Sequence, residues 1–364
     1  MLYDYLIVGS GLFGAVFARE MTDRRRKCLV IEKRPHIAGN CFTEKKSGID
    51  VHVYGPHIFH TNSTKIWEYV NRFAKFNNFV NRPKVNYKGQ LYSFPINLFT
   101  LYQLWGVKTP AEAQQRLELE KIQSDSPNNL RDWILSQVGT EIYEKFIEGY
   151  TRKQWKKDPV DLPSSIIKRL PIRLNFDDNY FTDRYQGIPA NGYTELVANL
   201  LKDIEVRTDT DYLENRAFFD SMAKKVVYTG ELDKFFDYRY GPLEYRTLDF
   251  TNQEFEVSDY QGNAVINYTE FEIPYTRVIE HKHFNWVATN TTIVTQETPV
   301  DWYQGAVPYY PIGTDQNLLL VRKYKELIDP DKFVFGGRLG NYQYYDMHQV
   351  IASALERASK EHAD

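Results

Sequence analysis

Cysteine is scarce in this chain of 364 residues, and its two cysteines, Cys28 and Cys41, form no CxxC pair. This scarcity excludes a disulfide framework, predicts no bound metal, and favours a reducing compartment, so the cytoplasm is the expected location. Long apolar runs are also missing, because no stretch approaches the roughly 18–20 residues that a membrane-spanning helix needs. Asp4 stands where a signal peptide would carry a basic residue, so we expect no signal peptide either.

Net charge is nearly absent as well, since 45 Lys and Arg oppose 48 Asp and Glu. Without a polybasic surface, a nucleic-acid partner is not expected. Aromatic residues are abundant instead, with 27 Tyr, 22 Phe and 6 Trp. Most should lie in the core, but tyrosine joins a flat apolar ring to a polar tip and therefore suits a site that holds both a ring and a phosphate.

The first thirty residues have the pattern of a βαβ unit. A β-prone run at residues 3–8 precedes Gly9, Gly11 and Gly14, which form G-x-G-x-x-G, and a helix and a second strand ending at Glu32 follow. Such glycines allow a tight turn, a close approach to a pyrophosphate, and helix packing on the strand. Glu32 can accept hydrogen bonds from ribose hydroxyls, which disfavours NADP. The pattern predicts a bound dinucleotide, because a turn that only packs would not explain the acid.

A second glycine turn favours FAD over NAD. Gly336-Gly337-Arg338 follows the strand Phe333–Phe335 and leads to a helix from about Asp346. A helix N-terminus there could stabilise negative charge on a flavin ring or its pyrophosphate. The alternative is that this turn merely closes the sheet.

The predicted fold class is α/β, with a discontinuous Rossmann-like core, a helical insertion and an antiparallel β-sheet domain. Helical patterns include Ala111–Ile122 and Asn129–Val138, and strand patterns include Ala264–Tyr268 and Thr276–Glu280. The predicted boundaries are 1–62, 193–235 and 325–364 for the FAD-binding core, 63–160 for the helical insertion with a mobile substrate loop at about 161–175, and 176–192 with 236–324 for the β-sheet substrate domain.

Several longer segments resemble the bacterial UDP-galactopyranose mutases, and the resemblance runs nearly end to end. The matching segments include Gly55-Pro56-His57-Ile58-Phe59-His60-Thr61, Gly149-Tyr150-Thr151-Arg152-Lys153-Gln154-Trp155, Ile167-Lys168-Arg169-Leu170-Pro171, Tyr275-Thr276-Arg277, Pro308-Tyr309-Tyr310-Pro311, Gly336-Gly337-Arg338-Leu339-Gly340 and Tyr344-Tyr345-Asp346-Met347-His348. The Tyr-Thr-x-Lys-Gln-Trp and Arg-Leu-Gly-x-Tyr patterns are far more restrictive than the glycine turn, which many flavoproteins share.

The resemblance implies an FAD-dependent isomerase that interconverts UDP-galactopyranose and UDP-galactofuranose, and so supplies galactofuranose for cell-surface glycans. In that family N5 of the reduced flavin attacks the anomeric carbon and UDP leaves. A flavin–sugar iminium then allows ring opening and reclosure with no net redox change. The family also implies a homodimer.

The resemblance further implies roles for individual residues. The expected catalytic residues are Arg169, Arg277 and His57. The expected cofactor-binding residues are Gly9, Gly11, Phe13, Gly14, Glu32, Lys33, Asn40, His57, Ile58, Arg338 and Met347. The expected substrate-binding residues are Asn81, Phe146, Tyr150, Thr151, Trp155, Arg169, Tyr180, Asn267, Arg277, Tyr309, Tyr344 and Asp346. His60, His281 and His283 are spaced unlike a zinc site and are expected to be structural.

Two alternatives remain at this stage. An amine-oxidase-like flavin oxidoreductase shares the fold but would need an apolar cage beside the flavin instead of arginines and phenols suited to a diphosphate. A flavin-binding protein without catalysis is the second, and the arginines and tyrosines of a UDP-sized site argue against it.

Overall fold

We analysed a computed structural model, which describes residues 1–123, 129–167 and 170–361. Its strands are β1 (Tyr3–Val8), β2 (Cys28–Ile31), β3 (Thr43–Lys46), β4 (Ile49–His52), β5 (Phe59–Thr61), β6 (Lys84–Tyr87), β7 (Gln90–Ser93), β8 (Tyr185–Gly187), β9 (Glu205–Arg207), β10 (Ala223–Tyr228), β11 (Tyr245–Phe255), β12 (Val265–Tyr268), β13 (Arg277–Glu280), β14 (Thr292–Val300), β15 (Tyr310–Pro311) and β16 (Phe333–Phe335).

The helices are α1 (Leu12–Asp23), α2 (Thr64–Asn71), α3 (Leu98–Trp105), α4 (Pro110–Glu120), α5 (Leu130–Ile142), α6 (Gly149–Trp155), α7 (Gly192–Leu200), α8 (Arg216–Met222), α9 (Leu232–Phe235), α10 (Asp315–Lys325), α11 (Gly337–Gly340) and α12 (Met347–Lys360). Within the described ranges, none combines the length and the apolar character that crossing a bilayer requires.

A five-stranded parallel sheet, in the order β16-β10-β1-β2-β9, forms the nucleotide-binding core. All four residues of β2 are buried, as expected for a parallel sheet with both faces covered. Helices α1 and α12 pack against each other beside this sheet, so segments from both ends of the chain share one core. The predicted βαβ unit and the terminal strand Phe333–Phe335 are confirmed.

A seven-stranded sheet, in the order β15-β11-β14-β13-β12-β6-β7, forms the second layer. Its neighbours are antiparallel except β12 and β6, which pair in parallel. Strands β6 and β7 lie in a stretch for which we predicted helices. Lys88 and Gly89 both have positive φ, 51° and 79°, and make the tight turn that joins these strands into a hairpin. The hairpin buries Val85 and Tyr92, and it extends the sheet beside Asn267.

The helical part surrounds its own apolar core, which includes Leu101, Leu117 and Ile134. The helices predicted at Ala111–Ile122 and Asn129–Val138 are confirmed as α4 and α5, with ends shifted by a few residues. Helix α10 was not predicted, because nearly all of Asp315–Lys325 was assigned to the β-sheet substrate domain. Between α5 and α6 the residues Tyr143–Glu148 form a π-helical segment.

Candidate functional site

A long cleft opens at the carboxyl ends of the parallel strands, where the first glycine turn leaves β1. Gly9 has φ 105°, and a Cβ on Gly14 would lie 2.0 Å from the carbonyl oxygen of Gly9, so a side chain at Gly14 cannot be accommodated. The second glycine turn packs on the first, because a Cβ on Gly336 would overlap the ring of Phe13. The predicted cofactor residues that line the cleft are Gly9, Gly11, Phe13, Gly14, Glu32, Lys33, Asn40, His57, Arg338 and Met347. Ile58, which was predicted with them, is buried in the core instead.

Glu32 closes one end of the cleft and is oriented by backbone and side-chain donors. Its Oε2 accepts hydrogen bonds from the backbone N–H and the hydroxyl of Ser10, both at 2.9 Å. Its Oε1 accepts the backbone N–H of Arg34 at 3.1 Å. The carboxylate is therefore held at the end of β2, as the sequence pattern predicted.

Arg34 and the segment 210–213 also line the cleft, and the sequence analysis did not identify them. The guanidinium of Arg34 lies 4.4 Å from the ring centre of Tyr54 and donates to Asn40 Oδ1 at 3.0 Å. Its Nη1 is buried without a hydrogen-bond partner among the described residues. A buried, unpaired donor at a cleft is suited to an anionic group of a ligand. The basic Glu-Lys-Arg sequence after β2 was the available signal.

His57 lies at the other end of the cleft, in a turn held by two further histidines. The backbone N–H of His57 donates to Nδ1 of His52 at 3.0 Å, and the backbone N–H of His52 donates to Nδ1 of His281 at 3.2 Å. Nδ1 of His57 lies 2.7 Å from the carbonyl oxygen of Gly55 and must therefore carry the proton. Burial, with Arg338 and Arg277 nearby, lowers the pKa of His57 to about 4, so its imidazole is neutral at pH 7.

Arg277 is a buried cation near His57. Nε of Arg277 lies 2.8 Å from Oε1 of Glu297, whose side chain is fully buried. The two residues face each other across β13 and β14. Burial opposes the charge of Arg277, but the carboxylate of Glu297 raises the pKa of the guanidinium above its usual value. Sequence reasoning found Arg277 and missed Glu297, because only strand register brings them together.

Tyr310, and not the predicted Tyr309, lies close enough to Arg277 to interact with it electrostatically. The rings of Tyr310 and Tyr344 stack at 5.4 Å, and the guanidinium of Arg338 lies 5.2 Å and 5.4 Å from their centres. Tyr309 turns the other way, with its ring 5.6 Å from that of Phe250. The alternation of side chains along an extended backbone separates these two neighbours.

Several other predicted substrate residues surround the same region. Asn267 pairs directly with Arg277 across β12 and β13. Burial raises the pKa of Tyr150, and Arg277 acts electrostatically on its phenol. The carbonyl oxygen of Asn81 accepts the backbone N–H of Tyr180 at 2.8 Å, and its side-chain Oδ1 is buried without a partner in the described part of the chain.

The remaining predicted substrate residues differ in placement. Phe146 is 3% exposed and packs on Tyr92 at 5.3 Å, so it belongs to the helical core. Thr151 is buried, and the guanidinium of Arg246 lies 5.0 Å from the ring of Trp155. Asp346 caps α12 in a capping box. Arg169 lies outside the described residues.

The histidines predicted to be structural have polar partners. Nδ1 of His60 lies 2.8 Å from a carboxylate oxygen of Asp183, while Nε2 of His283 lies 2.8 Å from Asp259 and 3.2 Å from Glu280. His60, Asp346 and His348 bring ligand-type atoms within 4.8 Å of one another.

The cation cluster adjoins the cleft at His57 and Arg338, since both line the cleft, Arg338 lies against Tyr310 and Tyr344, and Arg277 acts electrostatically on His57. The cleft could hold a dinucleotide along the glycine turns, and the cluster offers a fixed cation with several phenols beside the far end of that cleft. Such an arrangement can bind an anionic substrate against the ring end of a cofactor.

Comparisons with known proteins place this site in a family. The family model for UDP-galactopyranose mutase matches residues 145–344, and that for an NAD(P)-binding Rossmann-like domain matches residues 7–73. A dTDP-fucopyranose mutase of Escherichia coli is 39% identical over 97% of this chain and 97% of its own length. A probable UDP-galactopyranose mutase of Klebsiella pneumoniae is 40% identical over 98% of this chain and 94% of its own. The crystal structure of a reduced UDP-galactopyranose mutase has the same fold, with a TM-score of 0.78 at 12% identity over 100% of this chain and 94% of that one.

Proposed function

The chain belongs to the UDP-galactopyranose mutase family, and we propose that it interconverts UDP-galactopyranose and UDP-galactofuranose with reduced FAD. The observation that carries the proposal is that the Arg277 cluster adjoins the dinucleotide cleft at His57 and Arg338. A mutase needs this proximity, because the sugar must reach the cofactor while its diphosphate is held by the protein.

The residues that line the cleft suit the ribose, the pyrophosphate and the flavin ring of FAD. Glu32 suits the ribose hydroxyls, Gly11 leaves the backbone of the turn open to a pyrophosphate, and the unpaired Nη1 of Arg34 offers a donor to an anion. His57, Arg338 and the other lining residues at the far end would hold the flavin ring. Reduced FAD, when bound, supplies the nucleophile that displaces UDP from the anomeric carbon, with no net redox change.

The protein would stabilise the departing UDP through Arg277 and the surrounding phenols. Glu297 holds Nε of Arg277, which leaves the outer nitrogens of the fork for diphosphate oxygens. Burial raises the pKa values of Tyr150 and Tyr310, so both phenols stay protonated and can donate hydrogen bonds at neutral pH. Negative charge that develops on the leaving group therefore meets donors that are already oriented. We propose that Arg169 adds a second guanidinium to this clamp.

His57 would act through its position and not as an acid. With a pKa of about 4 its ring carries no charge at neutral pH, and its Nδ1 proton is engaged by the carbonyl oxygen of Gly55. We assign the turn at His57 to set the proton state of the cofactor's reactive end. His52 holds that turn by accepting the backbone N–H of His57.

A dTDP-fucopyranose substrate is the second candidate. The observation in its favour is that the dTDP-fucopyranose mutase is as similar to this chain as the probable UDP-galactopyranose mutase, at 39% and 40% identity over nearly the whole length. Both substrates present a diphosphate to Arg277 and a pyrimidine to the α6 region. They differ in the pyrimidine methyl group, the ribose 2′-hydroxyl and the hydroxyl at sugar C6.

The deciding experiment is an anaerobic assay of the FAD-loaded protein with UDP-galactofuranose and dTDP-fucofuranose in parallel, with and without dithionite. We expect reduction-dependent conversion of UDP-galactofuranose to its pyranose, at a higher kcat/KM than for the fucose substrate. Preference for dTDP-fucofuranose would transfer the assignment to the second candidate. Dye-coupled oxidation of an amine without either conversion would favour the oxidoreductase instead.

The variant Arg277→Ala separates catalysis from passive flavin binding. We expect it to retain FAD and to lose about 10²–10³-fold in kcat/KM, the usual cost of removing a donor to developing charge. Unchanged turnover would contradict the role of Arg277.

We infer a cytoplasmic homodimer, and the two cysteines, Cys28 and Cys41, which are both free and buried, support a reducing compartment. Light scattering on the purified protein would test the oligomeric state, and a monomeric mass would contradict it.

A further inference from the structure

Lys153 is a buried lysine to which the reaction outlined above gives no task. It lies on α6 within the segment Tyr150–Trp155, and only 4% of the residue is exposed. Its Nζ donates to the carbonyl oxygen of Tyr268 at 2.7 Å and to that of Tyr275 at 2.9 Å. An ammonium group taken out of water in this way is costly unless its bonds do something that an apolar side chain could not.

The two carbonyl groups belong to the hairpin that carries the diphosphate clamp. Tyr268 ends β12 and Tyr275 precedes β13, so the ammonium group closes the loop between them. Asn267, one residue before Tyr268, and Arg277, two residues after Tyr275, face each other across the ladder. A shift of the loop would therefore shift Arg277.

The backbone of helix α6 lies directly against this loop, with no room for a side chain at Gly149. A Cβ on Gly149 would lie 2.2 Å from the carbonyl oxygen of Thr269, and the hydroxyl of Thr269 donates to the carbonyl oxygen of Lys145 at 2.6 Å. The same helix carries Trp155, which we assign to the nucleoside, and Tyr150, whose phenol Arg277 influences electrostatically. Lys153 thus joins the helix that binds the nucleoside to the hairpin that binds the diphosphate.

We propose that Lys153 is a positioning residue that sets the spacing between the nucleoside-binding helix and the diphosphate clamp at Arg277. The inference rests on the proposed function, because it concerns how one UDP group spans the two elements. Lys153 touches neither substrate nor cofactor in this role and acts through the carbonyl groups of the hairpin.

The electrostatic surroundings make the role dependent on pH. Burial lowers the pKa of Lys153 to about 8, with Glu270 and Glu272 of the loop opposing this effect and Lys156 of its own segment adding to it. The phenols of Tyr268 and Tyr275 have raised pKa values and stay neutral over this range. Above pH 8 the ammonium becomes an amine, its hydrogen bonds to the two carbonyl groups lose their charge assistance, and the spacing is held less firmly.

The test is the dissociation constant of UDP, measured calorimetrically on the FAD-loaded protein between pH 7 and 8.8, above the phosphate titration at about pH 6 and below the deprotonation of uracil N3–H. Wild-type affinity should fall as the pH rises through about 8. Lys153→Met should weaken UDP binding about tenfold at pH 7 and remove the inflection, since misplaced binding groups cost affinity. Lys153→Arg should also remove the inflection but keep most of the affinity, because arginine stays charged. The exposed Lys157→Met is the matched control and should behave like wild type.

The outcomes separate this inference from the proposed function. If the wild type does not bind UDP, the proposed function fails. If the wild type binds UDP and Lys153→Met binds it equally well with the same pH profile, Lys153 is only structural and the inference is wrong. If Lys153→Met loses FAD or does not fold, Lys153→Arg decides, because an inflection that persists in this variant overturns the inference.

Discussion

At the scale of single residues, burial assigns the protonation states of the site. Burial keeps His57 neutral and the phenols of Tyr150 and Tyr310 protonated, whereas the carboxylate of Glu297 keeps Arg277 charged. The cluster therefore presents a fixed cation and hydrogen-bond donors across the neutral pH range. A diphosphate is the kind of group that such a set recognises.

The neighbouring Tyr309 and Tyr310 allow a matched test of the site's geometry. Tyr310→Phe should lower kcat/KM for the UDP-sugar about tenfold, because a hydrogen bond to a charged group is worth roughly 1.5–3 kcal/mol. Tyr309→Phe should change it less than about twofold, since the phenol of Tyr309 faces Tyr54 and Phe250. Steady-state kinetics on both variants would check this, and a larger loss in Tyr309→Phe would reverse the assignment of the two side chains.

At the scale of elements, a polar network fastens the loop before β12 to the end of β13. The carboxylate of Glu280 accepts the backbone N–H groups of Tyr260 at 2.8 Å and Gln261 at 2.9 Å, and the ring of His283 bridges it to Asp259. Burial alone would raise the pKa of Glu280, but the bonds from His283 and the backbone lower it to about 2. The hydrogen bond to Glu280 raises the pKa of His283 in turn.

This network predicts a pH dependence of stability with a definite sign. The folded pKa of His283 lies above the unfolded value of about 6.5, so its contribution is fully present below pH 6.5 and is lost as the pH rises through the folded pKa. Urea unfolding at pH 6 and pH 9 should show that the advantage of wild type over His283→Gln shrinks by up to about 1 kcal/mol. An advantage that grows with pH would contradict the protonated pair. Glu280 stays ionised at both values and does not interfere.

At the scale of the whole molecule, the cofactor cleft joins segments that are distant in the chain. Its walls come from the first glycine turn, the turn at His57, the residues 210–213, and the second glycine turn with the start of α12. A ligand that fills the cleft therefore bridges segments from both ends of the chain and stabilises the folded state over the unfolded one.

Removal of FAD should accordingly lower the melting temperature, and FAD at a thousand times its dissociation constant should add about 4 kcal/mol of stability. Gly14→Ala should abolish this gain, because the new Cβ would lie 2.0 Å from the carbonyl oxygen of Gly9. Gly313→Ala is the control, since its Cβ would meet nothing within 4 Å. Thermal melts with and without added FAD would show the difference, and a gain retained in Gly14→Ala would place the cofactor elsewhere.

The dinucleotide site could be predicted from the sequence because its signal is local. The glycines, the strand before them and Glu32 lie within one βαβ unit, and backbone sterics and helix geometry suffice to place them. The helices α4 and α5 were predictable for the same reason, since apolar periodicity and capping residues act over a few turns.

What only the tertiary structure decided depends on register and on contacts between distant segments. Glu297 faces Arg277 because β13 and β14 pair in one register, and Tyr310 takes the place predicted for Tyr309 because a one-residue step in an extended strand reverses the face. Lys153 finds its carbonyl partners more than a hundred residues away. The sequence by itself determined which chemical groups this protein carries and where its local turns form. The packing of whole strands and helices decided which of these groups meet. The register of two strands depends on the contacts along their full length, which no short stretch of sequence contains.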